Sequence, residues 1–144
     1  MPDNDLVSMN TVSLSAAQRV VDAAIAAARA AGVETCIAVC DPAGAPIVTV
    51  RMDGAPRLSA EIALNKAFTV ASFKGMPTDK WWPLLADDPA LVHGLTQTAR
   101  LVVYPGGVPV LVDGAVVGAV GVSGGSPDQD RQIAQAGADV VRGS

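Results

Sequence analysis

The stretch of sequence that decides the fold is residues 108–122, VPVLVDGAVVGAVGV. Two valine-rich runs flank Asp113-Gly114, and an Asp-Gly pair between such runs is the strongest short-range signal of a β-hairpin. The sequence therefore predicts antiparallel strands over Val108–Val112 and Ala115–Val122. Gly121 lies inside the second strand, where glycine marks a bulge or the close approach of another backbone segment.

Three more strands are predicted on the N-terminal side of this hairpin. Thr35–Cys40 and Ile47–Met52 are apolar runs separated by Asp41–Gly44, in which proline presets one dihedral angle and glycine supplies a positive φ. A further run, Arg100–Tyr104, ends at a Pro-Gly-Gly turn. Together with the hairpin these runs predict an antiparallel sheet of five strands.

Helical spacing and capping residues predict the helices that cover this sheet. They are a helix from Ser13 or Ser15 to just before Gly32, Leu58–Phe73, a short helix over Asp79–Ala86, and a final helix from the capping residue Ser126 to about Val141. Asp87–Gln97 is predicted to be irregular. The order α-β-β-α-(α)-β-β-β-α defines an α/β (α+β) fold with helices flanking the sheet.

Composition limits the classes of protein to which the chain can belong. Its 144 residues predict one domain, residues 11–144, after a flexible segment, residues 1–10. Charged residues make up 17% and hydrophobic residues 50%, a balance that excludes disorder and predicts a homo-oligomer. A net charge of −4 without a basic cluster argues against nucleic-acid binding, and no apolar run reaches the roughly 18 residues that span a membrane.

The two cysteines indicate the redox setting. Cys36 and Cys40 would lie on one face of the same strand, roughly 13 Å apart, which is too far for a disulfide. We therefore expect free thiols and a cytoplasmic protein.

Two side chains are the first candidates for chemistry. Lys66 interrupts an otherwise apolar helix, where it could hold an anionic substrate or, alternatively, reach solvent or pair with Asp53 or Glu61. His93 is the only histidine and could act as an acid, a base or an iron ligand. No second metal ligand stands at a fixed spacing from His93, so an incidental role remains open.

Two other features could line a binding site. Trp81 and Trp82 are adjacent on a helix and point about 100° apart, so that one packs inside while the other lines a pocket or a subunit interface. Residues 121–127 lead into a helix N-terminus, which can bind an anion. Asp128 and Asp130 already supply negative charge there, which favours a turn and cap instead.

Two segments carry a family resemblance that covers roughly residues 12–141. They are RMDGAPRLSAEIALNKAFT at residues 51–69 and GAVGVSGGSPDQDRQIAQAG at residues 118–137. In these segments the chain resembles the GlcG/HbpS-like heme-binding family, which also supplies the C-terminal domain of some corrinoid adenosyltransferases. The resemblance implies a profilin-like fold, a tetramer or octamer, and heme as the cofactor.

The resemblance also implies roles for individual residues. His93 would approach the heme iron, with Thr69 or Met76 as less favoured alternatives. Lys66, Arg51 or Arg100 would meet the anionic propionates, because a guanidinium binds a carboxylate with two parallel hydrogen bonds. Some members of the family bind heme or iron and are implicated in heme degradation.

A different class of function stays open. In a cofactor-free enzyme acting on a small organic acid (an isomerase, hydratase, decarboxylase or ring-opening hydrolase), Lys66, Arg51 or Arg100 would hold the substrate carboxylate. His93 or Asp53 would then move the proton. A third possibility is an oligomeric accessory protein that performs no chemistry of its own.

Overall fold

A computed structural model describes residues 5–141, which form one antiparallel sheet of four strands together with five α-helices and one short 3-10 helix. The elements in chain order are α1 (Leu14–Ala31), β1 (Cys36–Cys40), β2 (Pro46–Arg51), α2 (Ser59–Ser72), the 3-10 helix (Thr78–Lys80), α3 (Trp81–Leu85), α4 (Pro89–Leu95), β3 (Gly107–Val112), β4 (Ala115–Ser123) and α5 (Pro127–Ala138). The strands lie side by side in the order β2-β1-β4-β3.

The predicted hairpin is confirmed as β3 and β4. Val112 pairs with Ala115, and the two residues between them, Asp113 and Gly114, both have positive φ. That combination matches the twist of antiparallel strands, which explains why an Asp-Gly pair stands at this turn.

The two faces of the sheet differ in the size of their side chains. Ile37 and Val39 of β1 belong to the main core beneath α1 and α5, whereas Cys36 and Cys40 lie on the opposite face, beneath α2. A Cβ atom on Gly121 would stand 1.9 Å from the carbonyl oxygen of Ala63 in α2. Small residues on this face therefore let the backbone of α2 approach the sheet closely.

The prediction of a fifth strand was wrong. Within the described residues the sheet has four strands, and Arg100–Tyr104 is a loop. Arg100 has a φ of 67°, which an extended strand does not allow. The amide of Val102 donates to the hydroxyl of Thr69 in α2 rather than to a neighbouring strand, so side-chain bonding fixes this apolar run in place.

The prediction of an irregular segment over residues 87–97 was also wrong, because it contains α4. Asp88 accepts a hydrogen bond from the amide of Leu91, and Pro89 follows at the first helical position, so a short helix starts at a proper cap. The expected caps at Ser13, Gly32 and Ser126 are confirmed. The last helix ends at Ala138, before the predicted end near Val141.

The N-terminal segment was predicted to be flexible. Residues 5–10 are in neither helix nor strand, and the rest of the segment predicted to be flexible, residues 1–4, lies outside the described residues.

Across residues 5–141 no helix is both long and apolar enough to cross a membrane. Cys36 and Cys40 are buried free thiols, as predicted.

Candidate functional site

Lys66 lies at the centre of a buried ionic cluster. Its Nζ donates to the carbonyl oxygen of Val122 at 2.9 Å and forms an ion pair with Asp130 Oδ2 at 3.2 Å. The side chains of Lys66 and Asp130 are only 1% and 4% exposed. Gly106 makes room for the ammonium, since a Cβ atom there would stand 2.5 Å from Nζ.

The partner of Lys66 differs from both acids considered in the sequence analysis. Glu61 is exposed, as is Asp53, whereas the side chain of Lys66 points into the protein toward α5. Asp130 is positioned there because its other oxygen accepts from the amide of Gly125 at 2.9 Å. The ion pair therefore ties α2 to the start of α5.

Burial shifts the titration of the groups around this pair. Desolvation lowers the pKa of Lys66, although the neighbouring carboxylate of Asp130 opposes the shift. The ammonium also lies 4.9 Å from the centroid of the Tyr104 ring. Partial burial, with a smaller contribution from Asp130, raises the pKa of Tyr104.

A second cluster joins α2 to the loop at Arg100. The Thr69 hydroxyl donates toward the carbonyl oxygens of Asn65 and Arg100, at 2.8 and 3.0 Å, and accepts from the amide of Val102. Thr69 is 1% exposed, so its hydroxyl is closed to solvent and forms hydrogen bonds that fix the loop to α2. Arg100 stacks on the ring of Phe68 at 3.6 Å from the centroid, and its Nε donates to Asn65 Oδ1 at 3.0 Å.

The two tryptophans separate as expected for neighbours on a helix. Trp81 is 5% exposed and meets the edge of Phe73, with ring centroids 4.5 Å apart, whereas Trp82 is 54% exposed. Among residues 5–141 the indole Nε1 of Trp81 and the Oδ1 of Asp79 are buried without a hydrogen-bond partner. Such groups are costly unless a water molecule or a ligand satisfies them.

His93 lies on α4 with its side chain exposed to solvent. Within residues 5–141 its imidazole forms no hydrogen bond and no ion pair, so both ring nitrogens remain available. In the same described range no three His, Cys, Asp or Glu side chains are grouped closely enough to hold a bare metal ion.

Arg51 and Asp53 belong to a different part of the molecule. They lie at the end of β2 and in the turn after it, and they line a cavity of about 610 Å³ together with Arg29 and Glu34. The cavity residues do not include Lys66. The sequence candidates therefore divide into the buried pair at Lys66, the Thr69–Arg100 cluster, the Arg51–Asp53 cavity and the helices carrying Trp82 and His93.

The role of Asp130 was missed, although the sequence carried a signal for it. Asp130 shares one helical face with Ile133, Ala134 and Gly137, at spacings of three, four and seven residues. An acid on the buried face of one helix and a lysine on the apolar face of another are expected to form an ion pair, because a buried charge without a partner is strongly destabilising. Their contact, however, spans 64 residues and could not be read from local spacing.

Comparison with known proteins defines the family. Residues 12–139 match the family described as haem degrading protein HbpS-like, and the chain belongs to this family. An uncharacterized 15.0 kDa protein from the dhaT-dhaS intergenic region of Citrobacter freundii is 37% identical over 134 residues, which cover 90% of this chain and 91% of that protein. The corrinoid adenosyltransferase PduO of Salmonella typhimurium is 34% identical over 115 residues, 78% of this chain but only 34% of PduO.

Solved structures agree with this family assignment. The Klebsiella pneumoniae protein ORFY has a TM-score of 0.89 and 34% identity, with 96% of each chain covered. A complex of PduOC with heme has a TM-score of 0.81 and 29% identity, covering 91% of this chain and 95% of that one.

Proposed function

We propose that this protein binds heme through the imidazole of His93. The observation that carries the proposal is the exposed, unbonded imidazole on α4. Histidine is one of the side chains that hold heme iron in proteins, so the imidazole of His93 would hold the group. Membership of the HbpS-like family and the structural likeness to the PduOC–heme complex support the same cofactor.

The chain segment that carries His93 exposes apolar side chains that a porphyrin face could contact. Residues 73–95 carry four large apolar side chains that are exposed by 41% or more, namely Phe73, Trp82, Leu84 and Leu91. Exposed apolar area of this kind marks a ligand or protein contact. Lys74 and Lys80 are exposed cations in the same segment and would meet the propionates.

The other candidate iron ligand on α2 is less available. The hydroxyl of Thr69 is buried and already takes part in hydrogen bonds with the loop at Arg100. Heme, when bound, would supply an iron centre for redox chemistry, and the imidazole of His93 together with the exposed apolar side chains would hold it.

A hemin titration with a matched pair of porphyrins tests the proposal. Wild type should shift the Soret band of hemin at micromolar concentration, and His93→Gln should weaken hemin binding by about tenfold or more, as expected for losing a strong ligand. Binding of metal-free protoporphyrin should be equal in both proteins, because it needs no axial ligand. Gln132→Ala, on the exposed side of α5, is the control. Equal hemin affinity in wild type and His93→Gln would refute the assignment.

Three finer proposals accompany heme binding. The family description supports slow degradation of the bound heme, which would be seen as loss of the Soret band in ascorbate and air when compared with His93→Gln. The exposed apolar side chains of Leu58 and Leu111 support a homo-oligomer, a tetramer or octamer, on a profilin-like fold. The reduced thiols of Cys36 and Cys40 support a cytoplasmic location.

A further inference from the structure

A groove of about 520 Å³ lies between the turn that joins β1 to β2, one side of α2, and Arg100. Its apolar wall includes Ala45, Pro46 and Leu64, and Arg100 is the only cationic side chain among its lining residues. The lining residues do not include His93, so the groove is a separate feature from the proposed heme surface.

The backbone of Arg100 has a strained conformation in this groove. Its φ of 67° lies in the left-handed region, which a residue with a side chain enters only when its surroundings require it. Three contacts hold it there: its carbonyl oxygen accepts from Thr69, its guanidinium stacks on Phe68, and its Nε donates to Asn65. A glycine would avoid the strain, so the position is better explained by a use for the guanidinium than by the path of the loop.

The contacts of Arg100 leave the two terminal nitrogens of its guanidinium available to a ligand. Within residues 5–141 Nε is the only guanidinium nitrogen of Arg100 that is hydrogen-bonded, and the one ion pair under 4.0 Å is that of Lys66 with Asp130. The two terminal nitrogens of a guanidinium form a rigid fork that matches the two oxygens of a carboxylate. Stacking on Phe68 orients this fork before any ligand arrives.

The opposite end of the groove restricts the ligand further. Glu61 lines it one helical turn before Asn65, about 6 Å along the axis of α2. A second negative charge on the ligand would meet this carboxylate, whereas an apolar body would lie against Leu64 and Pro46.

We propose that the groove binds a small organic monocarboxylate, with its carboxylate on the terminal nitrogens of Arg100 and its apolar part against Leu64 and Pro46. The site does not depend on heme, and it gives a structural basis for a substrate or effector that is an organic acid.

Titration of the full-length, heme-free protein with butyrate and benzoate, followed by amide NMR, tests the site. Resonances of Ala45, Asn65 and the Arg100 Nε–H should shift at millimolar ligand. Succinate should bind more weakly than butyrate, and Glu61→Gln should reduce that difference. Absence of binding by both monocarboxylates, or succinate binding as tightly as butyrate, would overturn the proposal.

Variants of Arg100 separate this site from a structural role and from the heme site. Arg100→Gln should weaken monocarboxylate binding about tenfold or more, the loss expected for a charge-assisted pair, and Arg100→Lys should restore it only in part. Arg57→Gln removes an exposed charge elsewhere and should leave the affinity unchanged. Hemin binding should be unaffected by Arg100→Gln. Unchanged carboxylate affinity in Arg100→Gln, or an equal loss of hemin and carboxylate binding, would contradict a separate carboxylate site.

Discussion

The contact between α2 and the sheet and the exposed helix α4 are opposites in packing. In the first region Lys66, Cys40 and Gly121 are buried, and a Cβ atom on Gly121 would collide with the backbone of α2. In the second, His93 is exposed, and among residues 5–141 a Cβ atom on Gly94 would meet no atom within 4 Å apart from its chain neighbours and the backbone of its own helix. The first region holds the fold together, and the second leaves its side chains available to a ligand.

Burial separates the roles of residues that look equivalent in a sequence. Lys66 and His93 each interrupt a largely apolar segment of the sequence. Lys66 has an ion-pair partner and a carbonyl acceptor inside the protein, while the imidazole of His93 forms no hydrogen bond or ion pair with any residue from 5 to 141. Titratable side chains next to α2 should therefore affect stability first, and those on α4 should affect ligand binding first.

Replacement of Lys66 by methionine should have the largest effect on stability. Lys66→Met leaves the carboxylate of Asp130 buried without its cation, and breaking a buried pair in this way costs about 3–5 kcal/mol. Urea unfolding measures the loss. Lys80→Met, which removes an exposed lysine, should change the free energy of unfolding by less than about 0.5 kcal/mol.

The double variant Lys66→Met/Asp130→Leu decides the cause of that loss. It removes both charges, so it should recover much of the stability lost in Lys66→Met. A double variant as unstable as the sum of the two single variants would show that the ion pair is not the reason.

A matched pair of glycines tests the packing contrast directly. Gly121→Ala drives a methyl group into the backbone of α2 at Ala63 and should cost about 1–3 kcal/mol or more. Gly94→Ala adds the same methyl group in open space inside α4 and should stabilise by up to about 1 kcal/mol, because alanine is the better helix former. Thermal unfolding of the two variants checks the prediction, and similar melting temperatures would remove the contrast.

The sequence predicted the regular elements better than the connections between them. Hairpin β3–β4 and the caps of α1 and α5 follow from local chemistry, and they were confirmed. Arg100–Tyr104 is apolar enough to be a strand, yet the hydroxyl of Thr69, some thirty residues earlier, takes the backbone amide that a strand would need. No local pattern could show that competition.

The same limit applies to the candidate sites. The sequence identified Lys66, Arg100 and His93 as groups able to carry chemistry, because an isolated charge or imidazole stands out by residue type. Whether each is buried, paired or exposed depends on contacts between segments that are far apart, such as α2 with α5. The division between a structural lysine and an available histidine therefore emerged only in three dimensions.

A further expected effect is a pH dependence that arises where Cys40 lies beneath α2. Burial, with a smaller contribution from Asp41, raises the pKa of the thiol from 9.0 to about 12. Between these values the unfolded chain releases the proton while the folded protein keeps it. The folded state then binds more protons, so its stability falls as the pH rises. This contribution is negligible below about pH 8, reaches about 0.4 kcal/mol at pH 9 and costs about 1.4 kcal/mol at pH 10.

Cys40→Ala isolates this contribution, because it removes the thiol from both the folded and the unfolded state. Between pH 8 and pH 10 the wild type should lose about 1.4 kcal/mol more unfolding free energy than Cys40→Ala does. Chemical denaturation at the two pH values measures it. Cys36→Ala is the control that keeps the Cys40 thiol, so its loss of stability between the same pH values should still contain the Cys40 contribution. A constant difference between wild type and Cys40→Ala would mean that the thiol ionises as readily beneath α2 as in the unfolded chain, and the packing of this region would then be looser than the structure indicates.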